Sequence, residues 1–279
     1  MKYRKLDAVI VVNSLVYFLL AYYLVVFSSN LFIILLAKII GFDAELSYKG
    51  FTLSGEKWSD NNIILVYFFG NLISLFMAIF FQRLYNIERK YTKRIKIFYL
   101  WVYIISLNWF MGEIIIGAIF KTGIRSALVA FHVPSFFRLL LALLGVFGLI
   151  YFGIKSQKHV RVSSNLYFTS LSSQKTIPFF IKQMLIPSLL GTIIIILLKL
   201  PNLGQYHYVD LYMILLSIYL FIAGLFIRTG SLKSITFKSY KPNNNTIANS
   251  KYNLSYTPLV ILFLVLLILR IGLMNGISF

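Results

Sequence analysis

The chain has 279 residues, 59% of them hydrophobic and only 13% charged, with a mean hydropathy of +0.82. An average globular domain is about 25% charged, and a soluble fold of this size could not hide so much apolar surface from water. These figures exclude a soluble protein and imply a polytopic membrane chain. Lys and Arg number 27 against 8 Asp and Glu, a net charge of +19. In a membrane chain that excess is a topology signal and not a nucleic-acid footprint. The absence of cysteine rules out disulfides, thiol catalysis and cysteine-bound metals.

Lys2, Arg4 and Lys5 precede an apolar run that continues from Ala8 almost to Lys38. That is too long for a signal-peptide core, and no small-residue cleavage site closes it, so an uncleaved anchor is expected. A helix needs ~20 apolar residues to cross a ~30 Å hydrocarbon core. On that measure spans are expected at about 8–27, 63–82, 97–120, 136–154, 183–200, 209–227 and 257–275. The apolar stretch 31–41 is too short to cross, which suggests a re-entrant or interfacial helix, or the continuation of a broken first helix. The expected fold class is all-α, a single transmembrane domain over 1–279 with about seven spans and this one short helix.

Basic residues orient the spans. With the N-terminus in the cytoplasm, segments 1–7, 83–96, 155–182 and 228–256 lie inside and hold 19 of the 27 Lys and Arg. Outside lie only Lys49, Lys57, Lys121 and Arg125, together with Asp43, Glu45, Glu56 and Asp60. The positive-inside rule therefore predicts a multi-pass cell-membrane protein with its C-terminus outside. The 155–182 loop, basic and interleaved with Leu166, Tyr167, Phe168, Phe179 and Phe180, is expected on the inner surface, solvated or lying on anionic lipid.

Ionisable groups inside spans are functional candidates by default. Glu113 in the third span and Arg270 in the last are expected at similar depth, roughly 8–10 Å below the outer boundary at 1.5 Å per residue. An ion pair between them is the leading expectation, either as a structural lock or as an ion-linked site. The alternative has Arg270 snorkelling to the outer interface while Glu113 is protonated or pairs elsewhere. Asn71 and Asn108 are further buried polar candidates, expected to hydrogen-bond between helices. Gly112 and Gly117 are expected to admit a neighbouring helix. A second cluster at the outer side comprises Arg138, Lys199, His207 and Asp210. His207-x-x-Asp210 offers two ligands, too few to define a zinc site, and His132 and His159 fall on opposite sides of the membrane. No HExxH, GxSxG, P-loop or GxGxxG motif occurs, so no cofactor is expected.

The segment Ser29–Gly41, Ser-Asn-Leu-Phe-Ile-Ile-Leu-Leu-Ala-Lys-Ile-Ile-Gly, resembles the active-site helix of the site-2-protease-like intramembrane zinc metallopeptidases. Gly70-Asn71-Leu72 is similar to a later helix of that family. Leu107-Asn108-Trp109-Phe110-x-Gly112, with Lys121-Thr122-Gly123 beyond, resembles the span that carries the third metal ligand. The resemblance is one of spacing over about residues 20–150. It implies a relative without protease activity, because Ser29 and Asn30 stand where the family has His and Glu, Ile33 stands for the second His, and no Asp lies near Gly123. Zinc hydrolysis needs three protein ligands and a base. What the resemblance and the composition together imply is a non-catalytic scaffold or accessory subunit, set in the lipid bilayer, that binds a membrane-protein partner or lipid. The competing expectation is a transporter or channel working through Glu113 and Arg270.

Overall fold

The structure is a computed structural model that describes residues 2–48, 50–54, 58–119, 124–198, 215–216, 218–220, 235–237, 254–274 and 276–278. Within these residues the chain is mostly helical, and five helices are long and apolar enough to cross a membrane. They are α1 (Lys2–Ile39), α2 (Asp60–Glu88), α3 (Ile95–Ile119), α5 (Ser135–Ser163) and α6 (Ser173–Leu198). A short helix α4 (Ile124–Ala130) links α3 to α5, and the apolar α7 (Tyr256–Gly272) is the shorter last helix. The expected span 209–227 falls largely outside the described residues.

The expectation of a separate helix at 31–41 is corrected. α1 runs through Ser28-Ser29-Asn30 without a break and ends at Ile39. Nothing in that tripeptide removes a backbone donor, and the Ser29 hydroxyl finds a partner in Ser74 of α2 at 2.9 Å. The helix stops where glycine permits a left-handed residue. Gly41 has φ +82°, its N–H bonds to Lys38 O at 3.0 Å, and Phe42 N–H bonds to Ala37 O at 3.0 Å. These two bonds form a Schellman ending.

β1 (Asp43–Ser47) and β2 (Gly50–Ser54) follow as an antiparallel hairpin that the all-α expectation did not include. The carboxyl-terminal β5 (Ile277–Ser278) adds to it, pairing Leu46 with Ile277 and Glu45 with Ser278. The hairpin and the end of α7 therefore share one end of the bundle. β3 (Ser170–Leu171) pairs with β4 (Ile235–Thr236) among the basic segments, which are tied to one another at the opposite end. There Lys182 pairs with Asp7 at 2.6 Å, and Asn165 Nδ2 donates to Arg89 O at 3.2 Å. The fully buried Lys96 donates to Tyr91 O at 2.7 Å and to Asn165 Oδ1.

Side-chain placement fits a lipid surround. α5 turns Ala142, Gly145, Leu149, Gly153 and Ser156 inward and leaves Phe136, Leu144 and Phe147 exposed. Small residues inside and large apolar ones outside is the arrangement by which helices pack in hydrocarbon. The same logic joins α1 to its neighbours. A Cβ at Gly70 would meet Ile33 at 2.6 Å, and one at Gly191 would overlap the Phe18 ring. Phe18 in turn meets Trp101 edge-on, with centroids 4.9 Å apart. Gly191→Leu should therefore destabilise the α1–α6 contact by ~1–3 kcal/mol, read as a lower thermal midpoint in detergent. Gly272→Leu, whose Cβ would face open space, should leave the midpoint unchanged.

Candidate functional site

α1 is apolar on every side, so it is wrapped by α2, α3 and α6 and leaves one flank to α7. Along that flank lies a slot of about 470 Å³ between α1, the first turn of α3 and α7. Its walls are Leu20, Leu24 and Phe27 of α1, Phe98 of α3, and Ile261 and Val265 of α7. The wall runs along α1 from Tyr17 to Ser28, about 17 Å at 1.5 Å per residue.

Each end of the slot is polar. Towards the hairpin it adjoins a recess of about 70 Å³, sharing Tyr23, Phe27 and Leu269 with it and lined also by Asn30, Tyr48 and Arg270. The Arg270 guanidinium lies 4.5 Å from the Tyr48 ring centroid and donates to Leu198 O at 3.3 Å. Tyr48 N–H bonds to Leu273 O at 3.2 Å, which holds ring and guanidinium in register. At the basic end Arg94 donates to Ser255 Oγ at 2.8 Å. Ser255 N–H donates to Asn13 Oδ1 at 2.8 Å, and the Tyr17 hydroxyl stands beside Ser255 and within electrostatic reach of Arg94. Tyr167 closes this belt. Burial pushes its phenol up to about 12, against weaker opposite pulls from Asn13 and Arg94. Asn13 Nδ2 and Tyr167 Oη nevertheless lack well-formed hydrogen bonds.

One turn deeper, Trp101 Nε1–H donates to Ser14 Oγ at 2.9 Å, and the Ser14 proton goes to Gln183 O at 2.5 Å. Gln183 belongs to a π-helical turn, Ile181–Leu185, inside α6. Its side chain is fully buried, and neither amide atom has a partner.

The residues singled out from sequence are not gathered at one place. Among the described residues the ion pairs are Lys93–Glu88 and Lys182–Asp7, and a Glu113–Arg270 pair is not among them. Glu113 lies within electrostatic reach of Tyr67 on α2, whereas Arg270 sits over Tyr48 of the hairpin. The expected pairing assumed that depth alone would bring two helices together, but α7 packs on α1 and its end is drawn to the hairpin by β5. Asn71 is buried, yet its Nδ2 donates to Tyr67 O of its own helix at 2.8 Å, so this bond is not the inter-helix one expected. Asn108 is buried in α3. Of the outer cluster, Arg138 donates to Ser135 Oγ at 2.7 Å within the first turn of α5, while Lys199, His207 and Asp210 lie outside the described residues. Ser29 and Ile33 face Ser74 and Gly70 across α1 and α2. Among the described residues no three of His, Cys, Asp and Glu could share a metal.

Compared with protein-family models, curated proteins and solved structures, the chain matches none. Chemistry must therefore be argued from the residues in place. A slot walled by aliphatic and aromatic side chains can hold an apolar occupant, and the cations at its two ends can hold charge. Sequence reasoning singled out Arg270 but missed the slot and the belt of Asn13, Arg94, Tyr167 and Ser255. The available signal was Asn13-Ser14, two polar residues within the apolar run of α1.

An unmet buried polar group costs ~1–3 kcal/mol. Gln183→Met, which keeps the volume and removes both unpartnered atoms, should raise stability by about that much in a detergent melt. A fall instead would mean that the amide serves a buried water or ligand.

Proposed function

We propose that this is a non-catalytic multi-pass membrane protein, with its N-terminus in the cytoplasm and its C-terminus outside, whose slot between α1 and α7 binds an apolar partner within the membrane. The observation that carries the proposal is the slot itself: about 470 Å³ of nearly wholly apolar space along one flank of the central helix. An unfilled apolar space of that size forfeits the dispersion contacts of everything lining it, so an occupant is favoured.

A kinship with the site-2-protease-like metallopeptidases is part of this proposal, as a relative that keeps a scaffold and lacks the metal set. The residues at the corresponding positions do not fit zinc. Ile33 has no donor atom and packs on Gly70, and the Ser29 hydroxyl is engaged by Ser74. No hydrolytic step is derived for them.

The sidedness is supported by the grouping of contacts, since the basic segments are tied together at one end and the hairpin meets β5 at the other. Because the chain has no native cysteine, Thr52→Cys should react with an impermeant maleimide added outside whole cells. Thr92→Cys should react only after the cells are opened. The reverse pattern would invert the orientation.

Occupancy is tested by a photo-crosslinking residue at Leu24, compared with one at Phe147 on the exposed face of α5. A discrete, saturable adduct at Leu24 alone is expected. Equal diffuse labelling at both positions would remove the slot as a binding site.

A further inference from the structure

We propose that the slot takes one acyl chain of an anionic phospholipid drawn from the leaflet at the basic end of the bundle, with the phosphodiester held by Arg94. This rests on the slot being a binding site and names its occupant.

Width comes first. About 470 Å³ spread over about 17 Å describes a groove narrower than a helix with its side chains, which is ~10–12 Å wide. A transmembrane helix does not fit between α1 and α7 without prising them apart, but a single hydrocarbon chain does. Water is disfavoured, because a buried water needs two to four polar partners and the lining offers almost none. Length agrees, since ~17 Å is close to half of the ~30 Å hydrocarbon core, the reach of one leaflet.

Direction and charge fix the headgroup. The slot begins at Ile95 and Pro258, and the adjoining residues are Arg94 and, three positions before Pro258, Ser255. Arg94 is steadied at this mouth by its bond to Ser255 at 2.8 Å, and a planar guanidinium suits the two free oxygens of a phosphodiester. Segment 83–96 carries six basic residues and one acid, Glu88, and that carboxylate is already paired with Lys93 at 3.1 Å. The local field therefore favours an anionic over a zwitterionic headgroup. Arg270 lies at the far end, so it would meet the end of the chain and not the phosphate.

The test is native mass spectrometry of the full chain, released from mild detergent after incubation with phosphatidylglycerol or phosphatidylcholine of equal chain length. Wild type should retain one phosphatidylglycerol per chain, with about a fivefold to tenfold preference over phosphatidylcholine. Arg94→Gln should abolish the preference while keeping chain retention. Leu24→Trp, at a partly exposed wall position where misfolding is not expected, should abolish retention of both lipids, and Phe147→Trp should change neither. Ser255→Ala, which removes one hydrogen bond that positions the guanidinium, should lose part of the preference and stands in if Arg94→Gln fails to fold. Equal retention of the two lipids by wild type, or unaltered retention by Leu24→Trp, would overturn the lipid assignment. A Leu24 adduct identified as protein would do the same and leave the slot as a binding site, whereas absence of any discrete adduct would remove both.

Discussion

Hydrocarbon offers no hydrogen bonds, so every backbone group in the membrane must be satisfied inside the segment that carries it. α1 meets this demand as one unbroken helix of 38 residues, and the rest of the bundle is arranged around it. At 1.5 Å per residue it is about 57 Å long, nearly twice the hydrocarbon thickness. Its surplus is covered on the hairpin side, where Ile34 packs with Ala44, Leu46 and Leu273. At the other end Asp7 is held by Lys182 of α6. Because apolar residues occupy every face of α1, hydrophobicity alone cannot choose which neighbour takes which face. Small residues and hydroxyls choose instead: Gly191 beneath Phe18, Gly70 beneath Ile33, and Ser29 on Ser74.

These close contacts also explain where the slot lies. α2, α3 and α6 approach α1 through glycines, hydroxyls or the Trp101–Ser14 bond, whereas α7 presents large apolar residues from Leu259 to Leu269, a run without glycine. Bulky faces that do not interlock leave space between them. α7 is instead anchored at its ends, by Ser255 to Asn13 and Arg94 on one side and by β5 and Leu273 on the other. α7 is pinned at both ends and packs Leu262 and Leu266 into the core, while the space left beside Leu20 and Leu24 makes a channel with polar mouths.

Much of the architecture was legible in the sequence. Length and apolarity identified the helices now seen as α1, α2, α3, α5 and α6. The separate stretch expected at 31–41 rested on the ~20 residues that one span needs, but the helix keeps its backbone ladder through Ser28-Ser29-Asn30, and Ser29 finds a partner across the contact with α2. The hairpin was missed although Asp43-Ala44-Glu45-Leu46 alternates acid and apolar residues, with Ala44 and Leu46 buried; its polar flanks made it look like loop. The expected Glu113–Arg270 pair is not among the ion pairs of the described residues. Depth along a helix can be counted from sequence, but azimuth and neighbour cannot, and here β5 draws Arg270 to the hairpin. The slot was not legible at all, because its lining is indistinguishable in composition from the lipid-facing residues around it.

The central claim is that the space between α1 and α7 is kept open for an occupant. A cryo-electron microscopy map of the chain in nanodiscs of anionic lipid tests it most directly. The account predicts a continuous, chain-wide density along Leu20, Leu24 and Phe27, ending in a headgroup feature at Arg94. A map in which α7 lies directly against α1, with Val265 touching Leu24 and no space between them, would contradict it.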